Sequence, residues 1–216
     1  MLILIDLDGT LINTVHPTWK PYKDGQDGYS IEPHLAQVPL FPGVREFLAS
    51  RKAKGDKVVV VSDSHFRYVN PICKMLGVKG VSLADKPNTS KLYQYLESHP
   101  NYKQELDNGD CFVIGDTRLD IELGRQVGAM TIWFFAISDN KEEKDVKKEE
   151  YLCKVDNSTL LLKSFAFQIC DLILWYRNYL KDNGNVVENA TNWEVKDYKA
   201  AKIKKGNRFQ VDWNHS

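Results

Sequence analysis

The chain opens on an apolar run, Leu2-Ile3-Leu4-Ile5, that breaks into Asp6-Leu7-Asp8-Gly9-Thr10. Runs of the same kind recur at residues 57–62 (KVVVVS), 111–114 (CFVI) and 130–136 (MTIWFFA), with a weaker one at 81–84 (VSLA). Each is short, mostly β-branched or aromatic, and continuous rather than alternating. That is the pattern of strands buried on both faces of a parallel sheet. Between the runs, apolar residues fall at helical spacing: Val44, Phe47, Leu48; then Val69, Ile72, Cys73, Leu76; then Leu92, Tyr95, Leu96; then Ile121, Leu123, Val127. Gly55 and Gly77 stop the first two of these helices. Strands alternating with helices predict right-handed crossovers and an α/β fold built on a doubly wound parallel sheet.

Two stretches depart from this rhythm. Residues 13–42 carry Pro17, Pro21, Pro33, Pro39 and Pro42 with Gly25 and Gly28, a density that forbids a long helix and marks an irregular insert. The insert interleaves Trp19, Tyr22, Tyr29 and His34 with Lys20 and Lys23. Such aromatics either stack on a base or small substrate or pin the loop to the surface. Beyond residue 138 the α/β pattern stops. A mixed-charge run at 139–150 leads to an apolar segment, 159–181, predicted as a helix greasy on several sides and open to a homodimer or protein partner. The tail from Lys196 holds six bases against two acids, with Tyr198 and Trp213, so it is either a nucleic-acid contact or a solvated terminus. The division expected is a core over 1–138, with 13–42 as its insert, and a C-terminal helical extension over 139–216.

Bulk properties add little. At 216 residues, 43% hydrophobic and 27% charged, the chain suits one soluble domain with an appendage. Lys+Arg equals Asp+Glu, so net charge argues neither for nor against an anionic partner. Cys73, Cys111, Cys153 and Cys170 show no paired spacing, and Cys73, Cys111 and Cys170 lie in apolar contexts, which reads as reduced core thiols. No run approaches membrane-spanning length, and the chain starts directly on a core strand. No membrane and a cytoplasmic setting are therefore expected.

The chemistry gathers where strands end, which is where open α/β sheets bind ligands. Asp6 and Asp8 follow the first strand at i, i+2, a costly pairing unless a cation or hydrogen-bond network holds them. Ser62, with Asp63 and Ser64, follows the second and offers a hydroxyl and backbone N–H groups to an anion, or else caps the helix starting near His65. Lys86, held out of the α region by Pro87, offers an ammonium at the mouth of the sheet, and Lys91 is a rival for that role. Asp116 and Asp120 follow the third strong strand at i, i+4 behind Gly115. Asp120 serves a site or helix-start electrostatics.

Taken in order, Asp6-Leu7-Asp8-Gly9-Thr10, Ser62 after four valines, Lys86-Pro87, and Gly115-Asp116 with Asp120 resemble the four motifs of the haloacid dehalogenase-like (HAD) phosphatases over about residues 1–136. Phe41-Pro42-Gly43-Val44 is similar to the point where those chains re-enter the core after a cap insert. The resemblance implies a Rossmann-like core and Mg²⁺-dependent phosphomonoester hydrolysis. Asp6 is then the nucleophile, forming an aspartyl-phosphate. Asp8 is the acid–base. Asp6, the backbone carbonyl of Asp8, and Asp116 hold the metal, with Asp120 supporting it. Ser62, the turn at Asp63, and Lys86 bind the phosphoryl group. An acid at position 8 separates phosphatases from the dehalogenase branch, which has no alkoxide to protonate.

Only 28 residues lie between Ile12 and Phe41, too few for the four-helix cap of small-substrate members. A minimal cap implies an open site suited to large esters or closed by a partner. The opening stretch through Thr14 is similar to that of polynucleotide 3′-phosphatases, which makes a nucleic-acid end one expected substrate. A non-catalytic partner-binding protein on the same fold is the alternative from another class. A phospho-accepting receiver domain fits worst, because it needs neither the Asp-x-Asp-Gly-Thr spacing nor a second acid pair.

Overall fold

The computed structural model describes residues 1–14 and 16–133, together with two short strands at Val195–Lys196 and Val211–Asp212. The expected mixed-charge run at 139–150, the apolar helix at 159–181, most of the tail, Cys153 and Cys170 lie outside the described residues.

The core elements run in chain order as β1 (Leu2–Ile5), α1 (Lys20–Lys23), α2 (Val44–Ala53), β2 (Lys57–Val61), α3 (Phe66–Leu76) and β3 (Lys79–Val81). They continue as α4 (Ser90–Glu97), α5 (Pro100–Asp107), β4 (Cys111–Gly115), α6 (Arg118–Gln126) and β5 (Met130–Trp133). The five strands form one sheet, ordered β3-β2-β1-β4-β5, with every pairing parallel. This is the doubly wound α/β architecture that the strand–helix alternation predicts. Strand order reverses between β1 and β4, so the crevice beyond their carboxyl ends is the topological switch point. In the tail, β6 (Val195–Lys196) pairs in parallel with β7 (Val211–Asp212).

Side-chain alternation along β1 divides the core. Ile3 and Ile5 point to one face, where they join Val44, Phe47, Tyr68, Val69 and Ile72 of α2 and α3. Leu2 and Leu4 point to the other, against Leu92, Leu96, Leu106 and Leu123 of α4, α5 and α6. All four β1 residues are fully buried, which is why the run is apolar without a break.

Three expectations shift in detail. The weak strand expected at 81–84 ends at Val81, because Leu83 and Asp85 adopt positive φ values of 49° and 61° and cannot extend the ladder. Helix α3 is capped by His65, whose ring accepts from Arg67 N, while the Ser62 hydroxyl accepts from Ser64 N at 3.2 Å. Helix α5 was not expected; its first residue is Pro100, the favoured N-terminal position for proline. Cys73 and Cys111 are buried free thiols, and burial pushes the Cys73 thiol up to about 12.

The insert leaves and re-enters the core side by side: Ile12 bridges Leu40 antiparallel, and Asn13 N bonds Pro39 O. Between these points it forms α1 flanked by 3₁₀ turns at Pro17–Trp19 and Glu32–Gln37. Tyr22 stands edge-on to Tyr29 and His34, and Trp19, Tyr22 and Leu35 pack on the core. Of the two readings of these aromatics, the structure shows pinning for Trp19 and Tyr22. Tyr29 stays exposed.

Helix α6 seats on β4 and β5 through Gly124, where an added Cβ would lie 2.2 Å from Thr131 Cγ2 and 3.1 Å from Val113 Cβ. Alanine gains up to about 1 kcal/mol of helix propensity, but Thr131 is buried and β-branched and cannot turn aside. Gly124→Ala is expected to destabilise by about 1–3 kcal/mol in urea titration, and Thr131→Ser in the same chain to recover part of the loss.

Candidate active site

The site is assembled by chain direction. Because β1 and β4 are adjacent and parallel, the residues that follow them emerge side by side. Asp6 N bonds Ile114 O at 2.8 Å, and Asp116 follows Gly115 at the neighbouring tip. The connection after β3 brings Lys86 across: its Nζ lies 2.6 Å from Asp6 Oδ1 and 2.5 Å from Asp120 Oδ1. Asp6, Asp116 and Asp120 each present an oxygen within 4.8 Å of the other two.

Glycines make room for this crowding. Gly9 sits at φ +91°, a conformation disfavoured for other residues, and a Cβ there would lie 2.1 Å from Asp116 Oδ2. A Cβ on Gly115 would lie 2.2 Å from Asp120 Cγ. Asp120 also closes a capping box, its Oδ2 accepting from Thr117 N at 3.0 Å and Thr117 Oγ1 at 2.7 Å. Thus Asp120 holds the helix start with one oxygen and faces the cluster with the other. Thr10 Oγ1 donates to Asp116 Oδ1 at 3.3 Å.

Burial sets the electrostatics. Desolvation raises the Asp6 carboxyl from 3.8 to about 7; Lys86 opposes the rise, and Asp120 and Asp8 add to it. Asp116 is raised well above its ordinary value by burial, then by Asp6 and Asp120. Burial alone would lower Lys86, but the carboxylates of Asp6 and Asp120 outweigh it and raise the ammonium above its ordinary range. Among the described residues, Lys86 is the ammonium that touches Asp6 and Asp120 together. An all-oxygen set from three clustered carboxylates fits a hard divalent cation.

Asp8 lies outside this cluster by its side chain. Its Oδ1 accepts from Thr14 Oγ1 and, at 2.8 Å, from Tyr68 OH, with Lys23 Nζ at 3.2 Å. Its Oδ2 accepts from Ser64 Oγ at 2.9 Å. Of the other expected phosphate ligands, Ser62 is buried at the tip of β2. Asp63 is exposed, and its Oδ1 accepts from Lys86 N at 2.8 Å, fixing the loop that carries the lysine. Lys91, the rival, donates to Leu83 O, so it is Lys86 that reaches the carboxylates.

Tyr68 is a site residue that patterning did not single out, and Lys23, named only among the lysines of the insert, was not linked to Asp8. Tyr68 stands beside Val69 in an amphipathic helix and reads as one more core residue. Its hydroxyl in an otherwise apolar face was the available signal, since buried tyrosine hydroxyls seek partners. Burial and then Asp8 push that hydroxyl above its usual range.

The model of haloacid dehalogenase-like hydrolases matches residues 16–125, about half of the chain. That span includes Ser62, Lys86, Asp116 and Asp120 and begins after Asp6 and Asp8. No curated protein matched the chain in a sequence search. Among solved structures, a beta-phosphoglucomutase candidate from Thermotoga maritima superposes with a TM-score of 0.52 at 15% identity, covering 80% of this chain and 99% of that one. A predicted phosphoglycolate phosphatase from Haemophilus somnus 129pt gives 0.45 at 18% identity, covering 61% and 84%. A HAD-superfamily hydrolase, subfamily IA, variant 1, from Geobacter sulfurreducens PCA gives 0.47 at 13% identity, covering 67% and 97%. The first of these supports the fold.

A carboxyl group raised in the folded state binds more protons folded than unfolded, so stability falls as pH rises through the window between the two values. For Asp6 that window runs from 3.8 to about 7. Cation-free protein is therefore expected to melt higher near pH ~5 than near pH ~8. Saturating divalent cation should raise the melting temperature more at the higher pH, where the cluster is deprotonated. Thermal melts with chelator or with added cation check both signs.

Proposed function

The chain belongs to the haloacid dehalogenase-like hydrolase family, and from that premise we propose that it is a Mg²⁺-dependent phosphomonoesterase working through an aspartyl-phosphate on Asp6. The observation that carries this reading is the separation of two acids only two residues apart. Asp6 sits in a buried carboxylate cluster bridged by Lys86. Asp8 sits in a cage of hydroxyls and one ammonium. Two acids with different surroundings support two different roles.

In this mechanism Asp6 attacks phosphorus and the bond from phosphorus to the leaving oxygen breaks. Asp8 gives its proton to that oxygen. Asp8 then takes a proton from the water that attacks the aspartyl-phosphate, which releases inorganic phosphate and restores Asp6. Lys86 offsets charge between Asp6 and the phosphoryl oxygens, and Ser62 with the turn at Asp63 donates to them. Asp6, Asp116 and the carbonyl of Asp8 would hold Mg²⁺, with Asp120 supporting that shell, and the ion supplies charge neutralisation on the phosphoryl group when bound. Residues 13–42 act as a minimal cap, and the chain past 138 is an extension to the catalytic core.

Asp6→Asn is expected to reduce turnover of 4-nitrophenyl phosphate to background, and Asp8→Asn to lower its kcat by about 10²–10⁴-fold through loss of the base for aspartyl-phosphate hydrolysis. A panel of nucleotides, sugar phosphates, phosphopeptides and 3′-phosphorylated oligonucleotides identifies the substrate. Turnover confined to the oligonucleotides selects a nucleic-acid end, whereas turnover confined to metabolites removes that reading. Unchanged activity in Asp6→Asn contradicts the assignment.

A further inference from the structure

The insert reaches Asp8 with two side chains, the Thr14 hydroxyl at its start and the Lys23 ammonium further along. The Lys23 carbonyl accepts from His65 N at 2.7 Å, and its Nζ lies 3.2 Å from Asp8 Oδ1. Two residues on, Gly25 approaches the His65 ring so closely that a Cβ there would lie 2.3 Å from it. The insert is thus seated against the start of α3, with the Lys23 side chain directed at Asp8. Two hydroxyls, of Thr14 and Tyr68, donate to Asp8 Oδ1, and the Lys23 ammonium forms an ion pair with the same oxygen. Oδ2 accepts from the Ser64 hydroxyl. A carboxylate oxygen has two lone-pair directions, so Oδ1 is saturated and proton exchange falls to Oδ2.

We propose that Lys23 is a positioning residue for Asp8, fastening Oδ1 from the insert so that Oδ2 is the oxygen that exchanges a proton with the leaving group and the hydrolytic water. This rests on the phosphomonoesterase reading above. The carboxyl torsion of aspartate is broad and roughly two-fold, so nothing in the residue itself chooses between its oxygens. Neighbours must choose, and of the groups on Oδ1 Lys23 is the one that brings a positive charge, which holds that oxygen as the charged acceptor. The short insert then contributes to catalysis through the acid it holds in place.

A merely structural lysine would lower activity on every ester alike. A lysine that acts through the proton donor matters in proportion to the need for a proton. 4-Nitrophenolate leaves readily as an anion, but an alkoxide does not. The test is Lys23→Met in the full chain with Mg²⁺, read as kcat/KM over aryl phosphates of graded leaving-group acidity and one alkyl phosphate. The expected loss is less than about threefold for 4-nitrophenyl phosphate and about 10²-fold for the alkyl ester. Lys23→Arg should restore most of it. Tyr68→Phe should give the same trend, and the double variant should lose less than the product of the single losses, because both side chains act on one oxygen. A uniform loss across the series, or no loss, overturns the role of Lys23 and leaves the phosphomonoesterase reading standing. Wild-type protein inactive on every ester overturns both.

Discussion

Three carboxylates share one end of a parallel sheet with the Lys86 ammonium, and much of the local structure permits it. Oxygens of Asp6, Asp116 and Asp120 lie within 4.8 Å of one another. At an effective dielectric near ~20, each pair at that separation repels by roughly 3 kcal/mol. Lys86 offsets part of this by touching Asp6 and Asp120 together. Asp63 fixes the backbone of Lys86, and Thr117 and Thr10 each donate to one oxygen of Asp120 and Asp116. Gly9 and Gly115 leave the space that a Cβ would fill. Burial separates this cluster from a surface acidic patch: Asp6 and Asp120 are almost wholly shielded from solvent.

The same chain direction that creates the crowding also resolves it for Asp8. Asp6 ends the straight path of β1 and faces β4. Asp8, two residues on, lies toward α3 and the insert, where Thr14, Ser64, Tyr68 and Lys23 surround it. Two carboxylates of identical chemistry thereby acquire different neighbours within three residues of backbone. The insert is short, but its carbonyl contact to His65 and its lysine join it to both α3 and the acid.

Much of this was legible along the chain. Continuous apolar runs named β1, β2, β4 and the start of β5, because strands buried on both faces admit no polar alternation. The acids at 6, 116 and 120 were legible because charge beside such runs is costly without a purpose. Three features were not. Strand β3 was misjudged in its limits because Leu83 adopts a backbone conformation that its side chain does not announce. Helix α5 buries only Leu106 and so lacks an apolar stripe. Tyr68 and Lys23 reach Asp8 across 60 and 15 residues of sequence, and contacts of that kind depend on how α3 and the insert dock, which no local pattern encodes.

The claim at the centre of this account is that the crowded carboxylate at position 6 is the group that receives phosphate. The most direct measurement is acid-quenched trapping during turnover of a phosphate-labelled ester, followed by peptide mapping. The account predicts a hydroxylamine-labile acyl phosphate located on Asp6, formed in the wild-type chain and absent from Asp6→Asn. Label recovered on another residue, or steady turnover with no acyl phosphate at any quench time, would contradict it.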